Sequence, residues 1–189
     1  MNNYPILYIN LDNRPDRNKH IIKILSDNKL FGERVSAIKD TNGYIGCVSS
    51  HIKCLDIAIR KDYDAVIILE DDFIFTKDKD KLNTNIDYDV FLLGGTIYEK
   101  EIENDFYRVK KCSRTEGYII KKHYYETLRS NFLEGLNKYK NEPIHENKLD
   151  IYWHKLQEKD RFYCNKFGLI GGQKPGYSDI VNGFITRAN

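Results

Sequence analysis

The sequence predicts an α/β domain built on a mainly parallel sheet, and three observations carry that prediction. Apolar segments of strand character alternate with segments of helical periodicity, the order expected of a βαβ chain. The stretch DAVIILE (64–70) is apolar without polar alternation, as an interior strand covered on both faces must be. Finally, 189 residues without repeat, low-complexity tract or linker suffice to enclose one substantial core, so a single domain over 1–189 is expected.

In chain order, PILYINL (5–11) reads as a buried strand bounded by Pro5 and Asp12-Asn13. Ile21, Ile22, Leu25 and Leu30 then recur at helical spacing. They predict a helix from Pro15 to about Lys29, with Asn13 or Arg14 at its cap. ERVSAI (33–38) is a second strand. Gly43 and Gly46 predict a turn, followed by a helix from about Ser49 to Lys61 that buries Ile52, Leu55, Ile57, Ala58 and Ile59. DAVIILE and DVFLLGG (89–95) are the strongest strands, and the second ends in a glycine pair. FYRVKKC (106–112) and GYIIKK (117–122) read as peripheral strands. Helices are expected at about 122–138 and 148–159, then short strands and glycine-rich loop.

A hydrophobic fraction of 41% excludes a disordered chain, and a net charge of +2 offers no footprint for nucleic acid. Cys47, Cys54, Cys112 and Cys164 form no C-x-x-C pair and no zinc-like spacing with histidine, which fits reduced thiols in a cytoplasmic protein. No membrane-spanning run occurs, and the first apolar run is too short for a signal peptide.

Glu70-Asp71-Asp72 interrupts the apolar run AVIILEDDFIF (65–75) at the point where the strand ends. In open α/β sheets this carboxyl edge is where ligands collect. Three adjacent carboxylates set into an apolar wall need a basic partner or a divalent metal, and hard oxygens suit Mn²⁺ or Mg²⁺. If the strand continues, side-chain alternation puts Glu70 and Asp72 on one side and Asp71 on the other, unless a bend re-aims Asp71.

INLDNRPDR (9–17), GCVSSH (46–51), ILEDD (68–72), TEGYII (115–120), LD (149–150) and GGQKPGYSDI (171–180) follow one another in the order seen in glycosyltransferase family 25, which the chain resembles from residue 6 to about 180. That family includes bacterial lipooligosaccharide and collagen hydroxylysine galactosyltransferases. The resemblance implies a GT-A-type nucleotide-diphospho-sugar transferase fold, a single Rossmann-like domain. It also implies a UDP-sugar donor, galactose or glucose, and a glycan or hydroxylysine acceptor. The acidic triplet resembles the family's D-x-D-type motif, with Asp71 and Asp72 as candidate ligands for Mn²⁺ (or Mg²⁺), Asp72 the favoured direct one and Asp71 or Glu70 assisting through ribose or water. The place of work is expected to be the cytoplasm of a bacterium or of a cell infected by a large virus.

The other motifs supply candidates beside plainer roles. Asn10 and Leu11 would line the nucleotide pocket, while Arg14 and Arg17 could hold a diphosphate or be ordinary first-turn arginines. Ser49 or Ser50 could cap a helix whose N-terminus favours anions, with Ser50 a candidate donor contact, and His51 could bond the donor or be structural. Glu116 is a candidate general base or sugar ligand, or a solvated turn residue. Asp150 is a candidate base for the acceptor hydroxyl, or a helix N-cap. Gln173, Ser178 and Asp179, with Lys174, could form a flap over the donor. His154 and His145 are equal candidates for a third metal ligand. The overall expectation is a metal-dependent inverting hexosyltransferase. Its rivals are a non-catalytic sugar-nucleotide or glycan-binding module and a phospho- or nucleotidyltransferase, the latter weakened by the absence of a G-x-x-x-x-G-K-[ST] loop.

Overall fold

Ile6–Asn10 form the first strand, β1, buried along its whole length. The structure, a computed structural model, describes residues 4–181 and 183–186. Helix α1 (Pro15–Asp27) follows, with proline in its first turn and Arg14 at the N-cap without a side-chain capping bond. It buries Ile21 and Leu25 and leaves Ile22 exposed. Strand β2 is Glu33–Ser36.

Helix α2 (Gly43–Arg60) starts six residues before the expected Ser49, so the two glycines lie inside it rather than in a turn. Asn42 is the cap: its side chain accepts from the Tyr44 N–H at 3.1 Å. The helical cost of glycine is offset by close packing. A β-carbon at Gly43 would lie 2.7 Å from Ile180 Cα, and one at Gly46 2.6 Å from Ile38 O. Ser50, expected as a cap, instead donates to Gly46 O at 2.7 Å and accepts from Ile38 N–H at 2.9 Å. It ties the helix to the loop leaving β2.

Next come β3 (Ala65–Glu70), β4 (Phe73–Phe75), β5 (Val90–Leu92), β6 (Thr96–Glu103), β7 (Phe106–Ser113) and β8 (Gly117–Lys121). Helix α3 (Tyr125–Asn141) follows a single 3₁₀ turn, Lys122–Tyr124. The helix expected at about 148–159 is two short pieces, α4 (Leu149–Tyr152) and α5 (His154–Lys159), divided at Trp153. Trp153 is fully buried and its indole N–H donates to Cys112 O at 2.8 Å. The remaining strands are β9 (Phe162–Asn165), β10 (Gly171–Gln173), β11 (Gly176–Ser178) and β12 (Gly183–Ile185).

Eight strands form one sheet in the order β2-β1-β3-β8-β5-β9-β7-β6. β1 pairs in parallel with β2 and β3, and β5 with β9, while β8 runs antiparallel to both β3 and β5. GYIIKK is therefore a central strand, not a peripheral one, and Gly117 through Ile120 are buried. β6, which was not anticipated, is an exposed edge strand whose side chains read polar along most of its length.

The inner strands feed two cores by simple alternation. Leu7, Ile9, Val66, Ile68, Tyr118 and Ile120 join the core under α2 and α3. Ile6, Tyr8, Ala65, Ile67, Leu69 and Ile119 join the core on the α1 face. Each fully buried Leu or Ile contributes about 1.5–3 kcal/mol, which holds β1 and β3 rigidly side by side. Their carboxyl ends, Asn10 and Glu70, thus open at one edge.

Candidate active site

At that edge lies a cavity of about 230 Å³. Its walls come from the end of β1, the last residue of β3 with the turn after it, the first half of α2, and the segment from Gln173 to Ile180. Asn10, Leu11 and Arg17 line it, as do Ser50, His51, Glu70, Asp71 and Asp72. Gln173, Ser178 and Asp179 complete the expected set. Arg14, Glu116 and Asp150 stand outside the lining. Lys39, Asp40 and Cys47 line it without having been singled out for it.

The strand does not continue through the acidic triplet. β3 stops at Glu70, and Asp71-Asp72 form a turn before β4. Phe73 pins this turn: it is fully buried, and β-carbons at Gly117 and Gly171 would both collide with its ring. Of the two arrangements open to Asp71, facing away along a continuing strand or re-aimed by a bend, the turn gives the second and points both carboxylates at one guanidinium. Arg17 Nη1 lies 2.9 Å from Asp71 Oδ1 and 3.0 Å from Asp72 Oδ2. Asn10 Nδ2 donates to Asp71 Oδ2 at 2.7 Å, and Gln173 Nε2 to Asp72 Oδ2 at 3.0 Å.

The remaining oxygen, Asp72 Oδ1, is buried without a hydrogen-bond partner among the described residues. Burial, then the neighbouring Glu70 charge, push the Asp72 carboxyl up to about 7 in spite of Arg17 and Gln173. Burial also raises Asp71, with Arg17 and Asn10 opposing. A divalent cation therefore finds its readiest atom in Asp72 Oδ1. Asp71 is the more engaged of the two, since each of its oxygens already accepts one bond, from Arg17 or Asn10, and keeps one lone pair for an ion. Neither His154, within 3.2 Å of Ser113 Oγ, nor the exposed His145 belongs to the cavity wall.

His51 is fully buried, with Nδ1 3.0 Å from the Tyr118 hydroxyl and Nε2 3.4 Å from Glu70 Oε1. Thr115 Oγ1 donates to the same Glu70 oxygen at 2.8 Å. Burial acts to raise Glu70, but His51, Thr115 and Arg17 outweigh it and hold the carboxyl low. One turn before His51 on α2, burial and the charges of Glu70, Asp150 and Asp72 push the Cys47 thiol well up. The i, i+4 relation of Cys47 and His51 was hidden by placing the helix start at Ser49.

Glu116 is buried, not a solvated turn residue. Its side chain lies over Gly94, where a β-carbon would come 2.7 Å from Glu116 Cγ. Burial and the Glu70 charge push its carboxyl up to about 8, and Oε1 has no hydrogen-bond partner among the described residues. Asp150 lies in the first turn of α4, but Lys148 is the N-cap; Asp150 Oδ2 accepts from the Arg114 N–H at 3.0 Å.

The C-terminal segment crosses the cavity as a strap. β10 pairs antiparallel with β4, and β11 with β12. Lys174 N–H donates to Asp72 O at 2.7 Å, Arg17 Nη2 to Tyr177 O at 2.6 Å, and Arg14 pairs with Asp179 and Asp16. Arg14 thus supports the strap from outside the wall.

The sequence model described as Glycosyltransferase family 25 (LPS biosynthesis protein) matches residues 39–139. No curated protein sequence matches the chain. Among solved structures, A197 from STIV is 17% identical with a TM-score of 0.53, the alignment covering 98% of this chain and 95% of that one. A glycosyltransferase involved in glycosylation of the major capsid of PBCV-1 is 8% identical with a TM-score of 0.57, covering 90% and 91%. The glycosyltransferase GlyE of Streptococcus pneumoniae TIGR4 is 10% identical with a TM-score of 0.51, covering 86% of this chain and 45% of its own. At such identities the likeness establishes a GT-A-like fold and nothing finer.

Proposed function

The chain belongs to glycosyltransferase family 25, and from that premise we propose that it is a single-domain enzyme that moves a hexose, galactose or glucose, from a UDP-sugar to a hydroxyl of a glycan or of hydroxylysine. The observation that carries this proposal is the cavity at the ends of β1 and β3, where Asp72 keeps a buried oxygen without a partner among the described residues, beside Arg17.

In this proposal Asn10 and Leu11 contact the nucleotide and Arg17 faces the diphosphate, exchanging part of its hold on Asp71 and Asp72. Asp72 Oδ1 holds the cation, Mn²⁺ or Mg²⁺, with Asp71 joining once Arg17 turns. When bound, such an ion offsets the charge that develops on the departing UDP. Ser50, His51, Ser178 and Asp179 shape the rest of the wall, and the strap excludes water. Glu116 is protonated at neutral pH and donates a hydrogen bond to a sugar hydroxyl, which favours the ligand role over the base role. Asp150 accepts the proton of the attacking hydroxyl, from a place close enough for its charge to act on Cys47. The four free cysteines suit a cytoplasmic place of work, and no helix of the described residues is long and apolar enough to cross a membrane.

Thermal shift with UDP, UDP-galactose, UDP-glucose and GDP-mannose, each with and without Mn²⁺, tests this. A ligand at a hundred times its Kd stabilises by about 2.7 kcal/mol. UDP stabilisation that needs Mn²⁺ and vanishes in Asp72→Ala is expected. No shift with any nucleotide, from folded protein, overturns the proposal and leaves a non-catalytic module.

A further inference from the structure

We propose that Cys47 Sγ, His51 Nε2 and Glu70 Oε1 form a second cation site, distinct from the Asp71-Asp72 turn and selective for a thiophilic divalent ion of the Zn²⁺ class. One ligand atom from each of the three residues lies within 4.8 Å of the others. His51 Nε2 and Glu70 Oε1 are 3.4 Å apart. A tetrahedral ion with bonds of about 2.0–2.1 Å to nitrogen and oxygen separates its ligands by roughly 3.3 Å. The pair is thus set at the edge length of the coordination polyhedron. It is too poorly aligned to satisfy the ring, because Nε2 has no hydrogen-bond partner among the described residues although His51 is fully buried.

The surroundings orient the ligands as metal sites require. The Tyr118 hydroxyl lies 3.0 Å from His51 Nδ1; with the proton on Nδ1 it accepts that bond, and the Nε2 lone pair is free for the ion. Thr115 Oγ1 fixes the Glu70 carboxylate from the other side. Cys47 and His51 sit one turn apart on α2, and Glu70 is the last residue of β3, so both elements that carry the ligands are rigid. All three residues line the cavity, which would supply water or an anionic oxygen as a fourth ligand. On binding, the Cys47 thiol releases its proton to solvent and the thiolate sulfur bonds the metal. Thiolate and carboxylate together balance the double charge. A soft sulfur ligand separates this site from the all-oxygen turn next door, which suits Mn²⁺.

The test is Co²⁺ titration of the chelator-treated full chain without nucleotide. One equivalent should give a thiolate-to-cobalt charge-transfer band, displaced by Zn²⁺, with one proton released. Asp72→Ala should keep the band, Cys47→Ser should lose it, and Tyr118→Phe should bind Zn²⁺ about tenfold more weakly. Should Cys47→Ser fail to fold, peptide mapping of the wild type after alkylation replaces it, with Zn²⁺ protecting Cys47. No thiolate band in folded wild-type protein, or a band and an alkylation pattern independent of Cys47, overturns the site. A band without any UDP shift would remove the proposed transferase function and keep the site, and the reverse result would do the opposite.

Discussion

Arg17 Nη1 stands 3.0 Å from Asp72 Oδ2, and the same nitrogen serves Asp71 at 2.9 Å. One guanidinium therefore serves two adjacent buried carboxylates, and its loss leaves them only the neutral donors Asn10 and Gln173. Arg17→Ala should destabilise the protein by roughly 3 kcal/mol, and adding Asp72→Asn should restore part of that loss. Urea unfolding of both single variants and the double variant measures the coupling; strict additivity would show that the pair is energetically idle.

Stability should fall as pH rises towards 8. Glu116 titrates at about 8 in the fold against 4.5 ordinarily, so the folded state holds the proton more tightly. The stability this gives is complete below the ordinary value and is lost as pH climbs through the folded one. On the order of a few kcal/mol is at stake, since each tenfold gain in proton affinity is worth about 1.4 kcal/mol. The melting temperature of Glu116→Gln, followed from acid to pH 8 in chelator, should decline less than that of the wild type.

Asp150→Asn should cut kcat by about 10²–10⁴ while leaving the UDP-induced thermal shift intact. A loss confined to KM for the acceptor would make Asp150 a positioning residue and not the base.

Gly171→Ala should cost about 1–3 kcal/mol. The new methyl would strike the Phe73 ring and stand 2.9 Å from Ile74 O. Because Gln173 on the same strand bonds Asp72, weaker UDP stabilisation should accompany the lower melting temperature. Gly176→Ala, with no atom within 4 Å of the added carbon, is the matched control.

The sequence made β1, α1, β2 and β3 legible because their apolar patterns are strong and local. It also pointed to most of the cavity wall, through motifs at strand ends. The misses share one cause: their signal lies in partners far along the chain. Gly43 and Gly46 read as a turn because nothing local reveals Ile180 and Ile38 pressing on them. GYIIKK looked peripheral because its place between β3 and β5 is a matter of topology, not of pattern. Whether Asp71 faces with Asp72 is not legible locally, because the turn that re-aims it depends on Phe73 wedged against Gly117 and Gly171. Glu116 looked solvated because the space above Gly94 that takes its side chain is invisible in a string.

The pairing of Arg14 with Asp179 joins positions 165 residues apart. During synthesis, the first strand and helix leave the ribosome long before the segment that completes the pocket exists. The nascent protein can assemble β1, β2 and β3 early, but it passes through that whole interval with Asp71 and Asp72 uncovered on the strap side. Long-range closure of this kind slows folding. Termination between residues 166 and 173 would therefore yield a chain with every strand of its eight-stranded sheet and no finished pocket.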